Sequence, residues 1–546
     1  QNMAQKENAI FKNVTWVTVI MLLSKVLGFL RQAMIAFSYG SDEMTDIYFT
    51  SSEFMLGISF AFTEALTMGL VTIYIQTRQK KGFGAANRVA NRVMSMYLMF
   101  SIVLVTLLVI FAPFLARILC PTYTGSSLRL LTQYLRLFSL TILFAAFQSN
   151  FSAVLNANDS YIPGKLYGVI VNPIIILCMM LFGAKIGLYA LVIGFVIANL
   201  IQIVLLACCC RRVFRFRPLT PFGSKAVARI LRLSVPLLLS NILVQCNQIV
   251  DKVICSVIGT GTVSAYAYAN TLEQFVTASF SVSVGLILFS RFSECVAQND
   301  LKKMTHALTH SVSLVLMILV PVSLVAVVAS YDVVAVVYQR GNFNANDTMH
   351  TAVALIGLCL GIPLSAVNEL YLRAHYSLLN TKKPLYISLC GAVINGVLSL
   401  CLAQFWGVFG VAFSTSVSRV LTVILLHRSV RGYLPSYRFL HMRSELLRIL
   451  FATLAAAIVL TPIMFLPIRH GFWMFLLKTV LGLCTYEGVL LLTKSKGNTE
   501  IYQMILHMLP HRKKAAVGTI SDLDKDMITP PVQTNRSQDH NNDEET

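Results

Sequence analysis

The stretch IPGKLYGVIVNPIIILCMMLFGAKIGLYALVIGFVIANLIQIVLLACCCRR, residues 162–212, decides the fold. It holds two apolar runs, 162–183 and 187–210, each long enough to cross a hydrocarbon core about 30 Å thick as a helix. Between them lies only the turn Gly187-x-x-Ala190, and the arrangement returns about 220 residues later: Pro163 as Pro384 and the turn as Gly407-x-x-Gly410. Further out, Ser59-Phe60 returns as Ser279-Phe280 and Gly40 as Gly259. One register held across most of a half-chain is an internal duplication.

Composition fixes what is duplicated. The 546 residues are 56% hydrophobic and 12% charged, with mean hydropathy +0.70, whereas a soluble domain carries about 25% charged residues. Apolar runs of spanning length fall at 14–39, 47–76, 93–116, 130–155, 162–183, 187–210 and 230–256. A second series follows at 264–290, 304–330, 348–376, 385–405, 408–427, 447–467 and 471–493. With no water to satisfy open backbone groups, all fourteen must be helices. The expectation is an all-α integral membrane protein. Six spans per repeat insert both halves in the same orientation, which predicts two pseudo-symmetric six-helix lobes, 1–229 and 230–429. Two extra helices at 430–495 flank them, and 496–546 forms a surface helix with a polar, acidic, disordered tail.

Lys and Arg cluster in alternate loops: Arg78, Lys80, Lys81, Arg88 and Arg92, then Arg211, Arg212, Arg215 and Arg217, then Lys302, Lys303, Lys382 and Lys383. With these loops inside, both termini are cytoplasmic. The net charge of +20 is spread over short loops facing anionic lipid rather than gathered in a domain, so nucleic acid is not an expected partner. The twelve Cys lie largely within spans without zinc or thioredoxin spacing. Cys208-Cys209-Cys210 before Arg211-Arg212 is either an acylation site or ordinary packing at a helix end. No nucleophile–base pair or Gly-rich phosphate loop stands out, which points to a carrier rather than an enzyme.

Charges inside the membrane are where function is expected. In the first span, Lys25 and Arg31 stand six residues apart, about 120° around a helix, with Gly28 midway. This cationic face with an open centre suits a phosphate or pyrophosphate; the alternative is snorkelling toward a headgroup. His375 near an inner span end is expected to be a packing residue, and Asn172-Pro173 to break or kink the fifth span.

The segment LSKVLGFLRQAMIAFSYGSDEMTDIYF, residues 23–49, resembles the first-span signature of the MurJ (MviN) lipid II flippases, within a superfamily that also holds multidrug exporters. Residues 247–272, VVYQRGNFNANDT at 336–348 and LRAHYSLLNTKKP at 372–384 agree with it. The resemblance implies a fourteen-span bacterial inner-membrane protein, monomeric, that moves undecaprenyl-pyrophosphate-linked peptidoglycan precursor to the outer leaflet by alternating access. It also implies a substrate-binding set in which Arg31, Asp46 and Glu64 match the family and Lys25 stands for its Arg, around Gly28. Ser59-Phe60, Glu53 and Thr271 fall where the family carries cations, leaving Lys252, Arg291 and Arg373 to compensate. In relatives that bind sodium, the positions corresponding to the ion site are Asp251, Asn395, Ser399, the carbonyl of Val411 and Thr415, with Ser399 in place of a second Asp. The alternative is that Asp251 pairs with adjacent or facing cations, Lys252 among them, while Asn395 and Thr415 bond between helices. Beyond membrane lipids and a possible sodium ion, partners would be cell-wall synthesis proteins. Rival functions are a flippase for another polyprenyl-linked glycan, a multidrug-type cation antiporter, and a non-transporting cell-wall scaffold. A net positive cavity, a negative one and an apolar plug would distinguish a phosphate carrier, a drug exporter and a scaffold.

Overall fold

A computed structural model describes residues 2–220, 224–298, 300–378, 380, 382–434, 437, 442–464, 471–495 and 497–498. The expected surface helix around 501–514 and the acidic tail lie outside the described residues, as do the side chains of Ser279, Phe280 and Arg291. The described chain is helical with no strand: α1 (Asn2–Tyr39), α2 (Glu43–Leu119), α3 (Gly125–Asn156), α4 (Ile162–Lys165), α5 (Tyr167–Ile186), α6 (Tyr189–Cys210), α7 (Lys225–Ile258), α8 (Thr262–Ala297), α9 (Leu301–Val328), α10 (Ser330–Tyr338), α11 (Ala345–Cys359), α12 (Ile362–Ser377), α13 (Lys382–Tyr433), α14 (Arg443–Met464) and α15 (Phe472–Leu492).

These make fourteen crossings. Two helices cross twice, α2 turning at Gly82 (φ 79°, ψ 173°) and α13 at Gly407 (φ 56°, ψ −135°). α11 and α12, bent by 41°, share one crossing. α7 and α8 are long enough for one crossing each, at 34 and 36 residues. They carry Gln245, Asn247, Gln248, Asp251 and Lys252, and Asn270, Glu273 and Gln274. Polar side chains are tolerated in a span only where they face protein or a watery cavity, so α7 and α8 should line one.

α1–α6 pack into one lobe and α7–α13 into another, joined chiefly along α2 and α7, while α14 and α15 pair and lie against α9 and α10. The duplication is visible in the backbone. Gly187 (φ 57°, ψ −140°) and Gly407 (φ 56°, ψ −135°) turn the chain identically between the last two spans of each lobe. Only glycine adopts those angles without strain. At the other landmark the left-handed partner of Gly40 (φ 69°) is Gly261 (φ 80°) rather than the expected Gly259. The Gly40 and Gly261 turns meet, with Ser41 Oγ 2.8 Å from the Gly261 carbonyl. Two parallel halves place equivalent turns at one end of the molecule, as here.

α5 is not broken at Asn172-Pro173. It runs through both residues, and the interruption falls earlier, at Leu166 between α4 and α5. Asn172 Nδ2 donates to the Gly168 carbonyl at 2.7 Å and to that of Ser24 at 3.3 Å, fastening α5 to α1. His375 is fully buried and edge-on to Tyr433, 6.0 Å between ring centroids. Cys208 and Cys209 are exposed and Cys210 is buried.

Candidate functional site

Between the lobes lies a cavity in two chambers. The larger, about 810 Å³, is bounded mainly by α1–α6 and lined by Lys25, Gly28, Arg31, Glu64 and Lys165 among others. It extends from Phe29 and Arg31 to the 156–165 turn, where Tyr161 and Lys165 are exposed, at the end of the molecule opposite Gly40. Lys25 stands toward this mouth and Arg31 deeper. Gly28 lies so near Asn172 that an added Cβ would sit 3.5 Å from its amide. Both cations therefore face the cavity rather than lipid.

Charge in this chamber is one-sided. Lys25, Arg31 and Lys165 have no ion-pair partner among the described residues, and Glu64 is the one unpaired acid beside them. Arg31 Nε is buried without a hydrogen-bond partner, as are Gln32 Oε1 and Gln202 Oε1 on the same walls. These atoms leave hydrogen-bonding capacity on the chamber's walls. Lys165 carried no sequence signal beyond its place at a span end. At the positions lacking the family's cations, Ser59 Oγ bonds Thr141 at 3.0 Å and Thr271 accepts from Gln32 at 3.4 Å.

The second chamber, about 740 Å³, belongs to α7, α8, α12 and α13 and shares Lys25, Glu53, Gln248 and Asn270 with the first. Its acids are mostly paired: Glu53 with Lys252, Glu273 with Arg419 at 3.1 Å, Glu369 with Arg373 at 2.8 Å. Arg373 is thus occupied within its own helix and does not compensate for missing cavity cations. Glu53 and Glu273 occupy the same register of the two repeats, a signal legible in the sequence.

Asp251 is the exception. It is 2% exposed and has no ion-pair partner among the described residues, because Lys252 turns instead to Glu53. The alternative in which Asp251 pairs with Lys252 does not hold: neighbours on a helix point about 100° apart. Ser399 Oγ donates to Asp251 at 2.8 Å, and Asn395 Nδ2 reaches both carboxylate oxygens at 3.2 Å. Ser414, which sequence reasoning missed, sits at the centre. Its hydroxyl lies 2.5 Å from Ser399 Oγ, 3.1 Å from Asn395 Oδ1 and 2.7 Å from the Val411 carbonyl. Thr415 lines the chamber with its hydroxyl 3.5 Å from the Val411 carbonyl and does not reach Asp251 directly. One carboxylate among hydroxyl, amide and carbonyl oxygens is a donor set that fits a single monovalent cation such as sodium.

Asp46, expected among the substrate-binding residues, lines neither chamber. It is fully buried at the Gly40 end. Its carboxylate accepts from the Gly261 and Ser264 amides and the Ser264 hydroxyl, each at 2.7 Å, and from Tyr123 at 3.1 Å. A carboxylate from α2 thus caps the N-terminus of α8 in the other lobe, where the helix dipole favours negative charge. The QRGNF run crosses the same end: Asn342 N donates to the Phe37 carbonyl at 2.9 Å, and its side chain to that of Ser38 at 2.6 Å. Behind it Tyr268, Tyr338 and Phe343 pack with ring centroids 5.1–5.8 Å apart. The cavity is sealed at the Gly40 end and open at the other.

The sequence profile of the family described as lipid II flippase MurJ matches residues 12–482. The chain belongs to that family. Among curated relatives, a probable lipid II flippase MurJ of Rickettsia prowazekii (strain Madrid E) is 23% identical over 468 residues, 84% of this chain and 90% of the relative. One of Rhizobium tropici is 24% identical over 486 residues, 84% and 89% respectively. In fold the chain is similar to a lipid II flippase MurJ in an inward closed conformation (TM-score 0.76, 21% identity, covering 89% of this chain and all of the other). It is also similar to an inward-facing multidrug resistance MATE transporter of the MOP superfamily (TM-score 0.64, 13% identity, 76% and 95%). Within the MurJ fold, this chain's cavity keeps Lys25, Arg31 and Glu64 on its wall and consigns Asp46 to the closed end.

Proposed function

We propose that the chain is a carrier that moves a polyprenyl-diphosphate-linked saccharide, the lipid II for which its relatives are named, across the bacterial cytoplasmic membrane by alternating access. The observation that carries this reading is the excess of unpaired cations, Lys25, Arg31 and Lys165, over Glu64 in a chamber open at one end. A diphosphate is costly to bring into low dielectric. Two ammonium groups and a guanidinium with no competing partner give it a place to stay, while the apolar tail remains in lipid. With both termini cytoplasmic, the open end faces the cytoplasm, where such a precursor is loaded, and a negative interior favours outward movement of the anion. Among the described residues no apolar plug fills the chambers, which disfavours a scaffold. The single unpaired acid of the second chamber suits a small ion better than an organic cation.

Asp251, Asn395, Ser399 and Ser414, with the Val411 carbonyl, would hold a monovalent cation, whose charge would neutralise the buried carboxylate of Asp251. Rescue of a bacterium depleted of its own lipid II flippase tests the main reading. Expression of this chain should restore growth and protect newly made lipid II from the cytoplasmic side. Failure to rescue, with the chain present in the membrane, would remove lipid II as the cargo.

A further inference from the structure

We propose that Lys252 is a second anion-binding residue of the cavity, with Glu53 as its exchangeable counter-ion, so that an arriving lipid-linked diphosphate takes Lys252 and frees the ion pair tying the lobes together. The proposal rests on the phosphate-carrying function above and adds a residue and a trigger to it.

The repeat supplies an internal control. Glu53 and Glu273 are equivalent, each paired with a cation, yet they are placed differently. The Glu273–Arg419 pair lies within one lobe, and the Glu273 side chain is 3% exposed. The Glu53–Lys252 pair runs from α2 to α7, the only described ion pair that joins the lobes, and the Glu53 side chain is 32% exposed to the cavity. A carboxylate in contact with water makes a weak, screened pair and is replaceable. Lys252 is different: its side chain is 9% exposed, and a buried ammonium left without a counter-ion is costly, so it requires whichever anion can reach it. Glu53 and Lys25 each line both chambers, and Lys252 lines the second. A diphosphate entering past Lys25 therefore meets Lys252 at the seam. With more charge and more acceptor oxygens than one carboxylate, it is the stronger partner for the ammonium. Once Glu53 is released, α2 and α7 lose their ionic tie along the surface where the lobes meet.

The test is chemical footprinting of the full-length protein in nanodiscs, with inorganic pyrophosphate or farnesyl diphosphate as probe and sulfate as the ionic-strength control. Either diphosphate should raise carbodiimide labelling of Glu53 and shield Lys252 from acylation, the lipid-linked one at lower concentration. Glu53→Gln should bind pyrophosphate more tightly, by roughly fivefold, since a competing weak pair is gone. Lys252→Gln should bind it more weakly, and the double variant should behave as Lys252→Gln alone. Shielding of Lys25 without shielding of Lys252 would overturn the proposal and leave the phosphate-carrying function standing. So would a folded Glu53→Gln that gains no affinity, or a lipid-linked probe that acts no better than the free one. Diphosphate binding that is absent from Lys25, Arg31 and Lys252 alike would overturn both.

Discussion

At the scale of single residues, the proposed cargo binding rests on cations without ion-pair partners among the described residues. Arg31 presents a buried Nε with no acceptor, and each charge-assisted contact to a diphosphate is worth about 1.5–3 kcal/mol. Arg31→Ala or Lys25→Ala should therefore weaken diphosphate binding by roughly ten- to a hundredfold. Rescue of growth should fall while the amount of folded protein in the membrane stays level; full rescue by both variants would remove these residues from the site. The Asp251 cluster makes the opposite demand, a carboxylate surrounded only by neutral donors. Ser399→Asp would place a second acid at a position whose hydroxyl lies 2.8 Å from the first and should make folding depend on a cation. A ligand at a hundred times its Kd stabilises by about 2.7 kcal/mol, so the variant should melt several degrees higher in sodium than in choline. Identical melting in the two salts would leave the cluster as a hydrogen-bond network only.

At the scale of elements, two turns decide how the spans are held. Gly187 and Gly407 have nearly equal angles and no neighbour that an added methyl would strike: nothing lies within 4 Å at Gly187, and Ile258 is 3.8 Å away at Gly407. The cost of alanine is then pure backbone strain, of order 1–3 kcal/mol. Thermal unfolding of Gly187→Ala and Gly407→Ala should show similar losses, because the repeat makes them one substitution in two places. The cap that Asp46 places on α8 is a different kind of hold, formed across the lobes. Asp46→Ala leaves the Gly261 and Ser264 donors without an acceptor, about 1–3 kcal/mol for each buried group. The Gly40 end should open more often, read as faster thiol labelling of a cysteine introduced at Ser41. Unchanged labelling would mean that the QRGNF run and its aromatic neighbours close that end by themselves.

Across the whole molecule, α14 and α15 stand outside the duplication and need their own attachment. Apolar packing of Met317 with Ile449, Ala456 and Tyr486 supplies part of it. Lys478 adds an ion pair, its amine 2.6 Å from Asp332 on α10, with both residues buried. Breaking a buried pair from one side typically costs about 3–5 kcal/mol, whereas replacing both partners by apolar residues is close to neutral. Lys478→Ala should lower the melting temperature and expose α15 to protease, and Lys478→Met with Asp332→Leu should restore both. Equal damage from the single and double changes would show that the pair does more than fasten α15.

The amino-acid sequence by itself determined the class, the fourteen crossings and the duplication, because spanning length, loop charge and a fixed register are local or periodic properties that the membrane enforces. It also singled out Lys25 and Arg31, since a charge in an apolar span has few reasons to exist. Only the tertiary structure decided what each polar group faces. Asp46 and Glu64 look alike as acids in a second span, yet one closes the end of the molecule and the other lines the cavity. Asp251 and Lys252 are neighbours in sequence, yet they serve different lobes because adjacent helical residues diverge by about 100°. Ser414 and Lys165 had no signature of their own, for a hydroxyl or an amine gains its role from the three-dimensional neighbours that the fold brings to it.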